Sequence, residues 1–270
     1  MDVLTCIVNK TSKDIRQMKA FPLPRRDRAT HEPKPLRHRP KEKYISPSDD
    51  LIQIKTLSDL IGGIRTIIPE QQHRLEIKDK IWCVGDTSLL KQKCVAIVGT
   101  RNVTEDGAKR ARRLAKELVA AGVVVVSGLA KGVDTEALQS AMDSGGRVIA
   151  VIGTPITQAY PAENKKLQER IYREHLLISQ FAPGERVFPS NFPERNKLMA
   201  AISDGTAIVE AGETSGTLHQ AAECMRLGRW LFICKNVVED PELEWPTRFV
   251  EYERCVTLHS TPDILRAIGV

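Results

Sequence analysis

The sequence predicts an α/β fold, doubly wound around a mainly parallel sheet and preceded by a disordered basic arm. Two observations carry the core. Short apolar runs such as "CVAIVG" (94–99), "VVVVSG" (123–128) and "RVIAVIG" (147–153) lack the polar alternation of half-exposed strands, which marks strands buried on both faces. Segments with helical spacing separate them, and strands that alternate with helices form a parallel sheet through right-handed crossovers. The arm rests on a third observation. Between Arg16 and Lys43 ten Lys or Arg stand against three acids, a net +7 in a chain whose total is +6. Five prolines interrupt the same segment, each restricting its predecessor and removing a backbone donor, so no helix propagates there.

The arm is taken as residues 1–50. A lead-in over 51–85 follows, with "LIQIKTLSDLI" (51–61) as a short helix and "KIWCVGD" (80–86) as a short strand. The core domain spans 86–270. Its first strand ends on Gly99, and the helix over 104–122 places Ala111, Leu114, Ala115, Leu118 and Val119 on one face before stopping at Gly122, a usual C-terminal glycine. The run 123–128 is a buried strand, "VDTEALQSAMDSGG" (133–146) a helix, and 147–153 a strand. Then come "AENKKLQERIYREH" (162–175) as a helix, "LLIS" (176–179) as a strand and "PERNKLMAAIS" (193–203) as a helix with proline near its start. "GTAIVEAG" (205–212), "RWLFICK" (229–235) and "CVTLH" (255–259) are strands, with helices at "SGTLHQAAECMRLG" (215–228) and "TPDILRAIG" (261–269).

Composition narrows the function classes. No apolar run reaches the ~18 residues of a membrane span, and the N-terminus lacks the apolar core of a secretory signal. The six cysteines are scattered without a CxxC pair, so they read as reduced thiols of a cytoplasmic protein, with no metal site and no cofactor expected.

In doubly wound folds ligands bind beyond the carboxyl ends of the strands. The loops there are rich in Gly, Ser, Thr and Asn, a chemistry suited to anions. In "SGLAKGVD" (127–134) Ser127, Gly128 and Gly132 allow backbone to approach a ligand and Lys131 supplies a cation; Asp134 reads equally as a helix cap. Arg101, in "GTR", either forks onto a phosphate or pairs with a neighbouring acid. "FPERN" (192–196) brings Phe192, Arg195 and Asn196 to a helix start, a set fit to stack a base and hold its backbone, with Phe192 as a core plug the other reading. Ser215, Gly216 and Thr217 open a helix where free amides favour an anion. No Ser–His–Asp arrangement, metal-ligand cluster or GxxxxGK[ST] loop is present, so no catalytic residue is assigned. The acids Glu210, Glu213 and Glu223 keep acid–base chemistry open.

Taken together, "VAIVGTR", "VVVSGLAKGVD", "VIGTPITQAYPAEN", "LISQFAPG", "FPERNKLMAAIS" and "IVEAGETSGTLHQAAE" resemble, in this order, the DNA-processing protein A family (DprA, also called Smf). The resemblance runs from about Lys80 to the C-terminus. It implies an extended Rossmann-like domain that binds single-stranded DNA, helps load a RecA-type recombinase in natural transformation, and forms a homodimer. It also implies that Arg101, Ser127, Gly128, Lys131, Gly132, Phe192, Arg195, Asn196, Ser215, Gly216 and Thr217 line the DNA groove. Lys197 stands where the family usually has the second arginine of an "RNR" triplet, keeping the cation and losing the fork. Gln180, Leu138 and "CK" at 234–235 also depart from the family pattern. The arm does not resemble the family's N-terminal helical domain, and no winged-helix domain is expected at the C-terminus.

The alternative is a nucleotide-binding or nucleotide-hydrolysing member of the wider superfamily, whose "GGxGT-x-x-E" loop is loosely similar to "SGTLHQAAE". Glu223 falls too late for that spacing. Cations spread over several loops suit a strand of nucleic acid better than one mononucleotide. The arm is expected to be cut early in limited proteolysis; a resistant fragment that retained Arg25–Lys41 would overturn its assignment as disordered.

Overall fold

Nine short strands assemble into one sheet in the computed structural model, which describes residues 43–61, 77–213 and 215–270. Residues 1–42 of the basic arm lie outside them. The strands are β1 (Gln53–Lys55), β2 (Ile81–Gly85), β3 (Cys94–Val98), β4 (Val124–Ser127), β5 (Val148–Ile152), β6 (Leu176–Ser179), β7 (Gly205–Ile208), β8 (Trp230–Cys234) and β9 (Cys255–Leu258). Their order across the sheet is β1-β2-β6-β5-β4-β3-β7-β8-β9. From β6 to β9 all neighbours are parallel, whereas β1–β2 and β2–β6 are antiparallel. Every residue of β3, β4, β5, β6 and β7 is buried, as expected where helices cover both faces.

The helices are α1 (Leu57–Ile61), α2 (Glu105–Ala120), α3 (Val133–Asp143), α4 (Lys165–Glu174), α5 (Asn191–Ile202), α6 (Thr217–Arg226), α7 (Lys235–Val238) and α8 (Thr261–Ile268). Local chemistry sets their ends. The Thr104 hydroxyl accepts the Gly107 N–H at 3.0 Å to cap α2. A reciprocal Ser260–Asp263 capping box opens α8, and left-handed Gly269 closes it. Connections run from β3 outward to β6, then return through α5 to β7 beside β3. Because crossovers are right-handed, this reversal puts α2–α4 and α5–α6 on opposite faces. It also makes the β3/β7 gap the topological switch point, where the loops diverge and leave a crevice.

The lead-in departs from expectation. Residues 51–61 do not form one helix: β1 pairs with β2 through Gln53↔Cys83 and Lys55↔Ile81, and only Leu57–Ile61 is helical. An isolated helix of that length is marginal, whereas the free edge of β2 offers backbone partners to a segment carrying Ile52 and Ile54. Part of the segment assigned to the arm is also held. Glu169 of α4 accepts the Ile45 N–H at 2.8 Å, the Tyr172 hydroxyl donates to the Ile45 carbonyl at 2.9 Å, and Gln168 donates to the Tyr44 hydroxyl at 2.9 Å. The described thiols pair in no disulfide. Burial pushes Cys83 and Cys224 up to about 12, so both remain unreactive thiols.

His175, between α4 and β6, is buried with neither ring nitrogen hydrogen-bonded among the described residues. Burial first, then the nearby Arg147, holds its pKa below the usual value. The unfolded chain takes up this proton at about pH 6.5, the folded chain only at lower pH. Stability from the neutral ring is therefore full above that pH and lost as pH falls below it. His175→Leu is expected to flatten the decline of the melting temperature between about pH 7 and 5; an unchanged slope would assign the acid sensitivity elsewhere.

Candidate functional site

The crevice is organised from below by two acids. Glu210 follows β7. Its carbonyl accepts the Thr100 N–H at 2.7 Å, and its carboxylate accepts the Thr104 N–H at 3.0 Å and the Thr104 hydroxyl at 2.6 Å. Arg110 reaches the same carboxylate at 3.5 Å. One side chain thus ties the end of β7 to the loop after β3 and to the start of α2, across the switch point.

Asp134, second residue of α3, does the same for the loop after β4. It is only 4% exposed and accepts the N–H groups of Gly128 at 3.0 Å and Ala130 at 3.3 Å. Its counter-ion is Arg195 of α5, itself only 6% exposed. The Arg195 guanidinium donates to the carbonyls of Gly128 and, at 2.6 Å, Val151, and Nε donates to Asn196 Oδ1 at 2.9 Å. Burial pushes the Asp134 carboxyl up and the Arg195 guanidinium down to about 10, with their mutual attraction opposing both shifts. Gly128 is required here, since an added Cβ would lie 2.1 Å from the guanidinium. Leu129 takes a left-handed φ of 55°, and its carbonyl is held by Asn164 Nδ2 at 3.0 Å. Gly132, at φ 83°, closes the loop against the Thr100 and Arg101 carbonyls.

Above this base lies a surface of cations and rings. Arg101 is exposed, has no carboxylate partner among the described residues, and sits over the Phe192 ring at 5.6 Å. Phe192 is half-buried against Gly153, and Tyr160 leans on it at a centroid distance of 5.3 Å. Lys131 is exposed and equally without a partner among the described residues. Asn196 Nδ2 reaches the Gly216 carbonyl at 3.4 Å, and Lys197 pairs with Glu194 at 3.0 Å. The Ser215 hydroxyl bonds to that of Thr217 at 2.8 Å and accepts the Thr217 N–H at 3.2 Å.

A family model described as DNA recombination-mediator protein A matches residues 65–268. The chain belongs to that family. The DNA processing protein DprA of Streptococcus pneumoniae is 40% identical over 156 residues, which are 58% of this chain and 55% of that protein. The Bacillus subtilis DprA is 32% identical over 214 residues, 76% of this chain and 72% of its own length. The chain thus spans little more than half of the S. pneumoniae relative. The solved structure of DNA processing protein A from Helicobacter pylori matches with a TM-score of 0.64 at 27% identity, covering 76% of this chain and 94% of that one. The S. pneumoniae structure gives 0.63 at 35% identity over 70% and 66%. The H. pylori structure was reported for its single-stranded DNA binding mode.

Within this DprA-family domain the expected site residues divide by depth. Arg101 and Lys131 are at the surface and Phe192 is half-buried, stacking and plugging at once. Ser127 is fully buried, its hydroxyl donating to the Ile97 carbonyl at 2.7 Å as a strut between strands. Arg195 departs most from the reading as a groove-facing cation: strand-end carbonyls and a buried carboxylate draw it inward. Glu210, Asn164 and Tyr160 were missed as site-builders. The phosphate-loop chemistry of the glycines and hydroxyls drew the reading away from them, and "AYPAEN" offered the only local sign of the last two.

Arg195→Ala leaves Asp134 buried without its cation. Denaturant unfolding is expected to show a loss of about 3–5 kcal/mol. The double variant with Asp134→Asn should lose clearly less than the two single losses combined. An Arg195→Ala protein as stable as the parent would remove the pair from the scaffold.

Proposed function

We propose that this domain binds single-stranded DNA along the carboxyl edge of its sheet, with Arg101 and Lys131 on phosphates and a base stacked at Phe192 and Tyr160. The observation that carries the reading is the Arg101–Phe192–Tyr160 cluster, an exposed guanidinium over a ring with no acid to neutralise it. Stacking of this kind tolerates any base and contributes about 1–3 kcal/mol for each. At the opening of α6 the exposed Gly216, beside the half-buried Ser215 and the buried Thr217, continues the polar edge. The family supports the ligand, since the H. pylori relative is described by its single-stranded DNA binding. RecA-type recombinase loading, recombination of incoming DNA in the cytoplasm and homodimerisation belong to the same reading.

Binding rather than hydrolysis fits the acids. Glu210 is engaged by Thr104, Glu213 accepts the N–H groups of Glu244 at 3.0 Å and Trp245 at 3.3 Å, and Glu223 pairs with Arg226. Each carboxylate has a structural partner, which leaves none poised over a sugar.

Arg101→Ala and Lys131→Ala alter exposed side chains and should leave the fold intact. Each is expected to weaken binding to a single-stranded oligonucleotide and to reduce the slope of log K against log salt by about 0.7. Fluorescence anisotropy at several salt concentrations measures both quantities. Two variants that bind as the parent does across that range would remove the edge from consideration.

A further inference from the structure

The described residues expose two aromatic side chains strongly, Tyr160 at 44% and Phe188 at 48%. Tyr160 already belongs to the Phe192 cluster. Phe188 lies four residues before Phe192, in the loop that leads from β6 into α5. Its carbonyl accepts the Asn191 N–H at 3.0 Å, and the next carbonyl, of Pro189, accepts the Phe192 N–H at 3.4 Å. Two successive i→i+3 bonds thus turn the chain between the two phenylalanines and lead it into α5.

Scattered exposed apolar residues are ordinary, but Phe188 has features that the others lack. Arg186 sits over its ring at 5.3 Å. The loop carrying both is braced: Glu185 accepts the Ala182 N–H at 2.9 Å and the Lys78 ammonium at 2.5 Å, while Lys78 lies over the buried Phe181 ring at 4.8 Å. The ring therefore leaves a braced loop beside a guanidinium and is nearly half exposed. The exposed aliphatic residues lie elsewhere, Ile45 against α4 and Leu51 and Ile54 about β1.

We propose that Phe188, capped by Arg186, is a second base-stacking position for single-stranded DNA, adjacent to the one at Phe192. It rests on the strand-binding reading above and extends it by one nucleotide. The free face of the ring takes a base, and the guanidinium on the other face strengthens the stack while its edge donors reach the flanking phosphate. Only a short hydrogen-bonded turn separates the two phenylalanines along the chain, so one strand can meet both. The edge then reads Tyr160–Phe192–Phe188, with Arg101 and Arg186 as the cations set against the rings.

The test uses the full chain and an oligodeoxythymidine of about 20 nucleotides, unlabelled and with a single 2-aminopurine moved along it. Phe188→Leu keeps bulk and polarity and changes a solvent-facing residue. It is expected to weaken binding about five- to tenfold and to abolish the fluorescence change at one label position while sparing its neighbour. Phe192→Leu should do the reverse, and Phe188→Tyr should bind as the parent does. If Phe192→Leu weakens binding while Phe188→Leu matches the parent in affinity and in every label position, the second position is refuted and strand binding stands. If the parent itself binds no single strand, strand binding falls and the second position falls with it.

Discussion

Two buried side chains of opposite charge, Arg195 and Asp134, hold the carboxyl edge together. Arg195 comes from α5, on one face of the sheet, and Asp134 from α3, on the other. Between them they engage the Gly128 carbonyl and amide, the Ala130 amide and the Val151 carbonyl. Strand ends in a parallel sheet leave such groups without ladder partners, and leaving them unpaired in the interior costs free energy. A guanidinium with its fixed fork can serve several carbonyls at once, and a carboxylate several amides. Removing either partner strands the other in a medium where a lone charge is very unfavourable. The pair also explains the composition of its loop, because only a residue without a side chain fits at Gly128.

The site therefore separates into two layers with different physics. Below, Arg195, Asp134, Ser127, Asn164 and Glu210 are screened from solvent or tied into backbone bonds, and their contribution is geometric. Above, Arg101 and Lys131 are exposed and have no acidic partner among the described residues, so they contribute a field that salt weakens. The rings lie between. Phe192 packs inward on Gly153 and outward against Arg101 and Tyr160, which lets one residue fix the loop and offer a face. The proposed binding of a single strand draws on this division, with hydrogen-bonded loops beneath and exposed cations above.

The antiparallel extension through β2 and β1 covers the edge of β6 that would otherwise be open to pairing with another chain. Residues 44–45 lie along α4 on the same side of the sheet. These additions leave the switch point untouched. They place the lead-in within the same sheet as the core, where the sequence reading separates it.

The parallel core was legible because its signals are local. Runs such as "VVVV" exclude a solvent-facing strand, Gly122 and Gly269 close their helices, and Thr104 and Ser260 open them. The candidate loops were legible for the same reason, since strand ends and helix starts delimit them. Burial direction was not. Arg101 and Arg195 both stand beside glycines, rings or amides in a loop context, and nothing local distinguishes them. Arg195 turns inward because Asp134, sixty-one positions earlier in sequence, is buried beneath it, while Arg101 meets no acid and stays in water. β1 likewise became a strand only because β2 presented an open edge. Sequence alone determined which segments of the parallel core are strands, helices and strand-end loops, for those depend on neighbours along the chain. Tertiary structure decided which cation is a buried strut and which stays at the surface, for that depends on charges and carbonyls brought together only by folding.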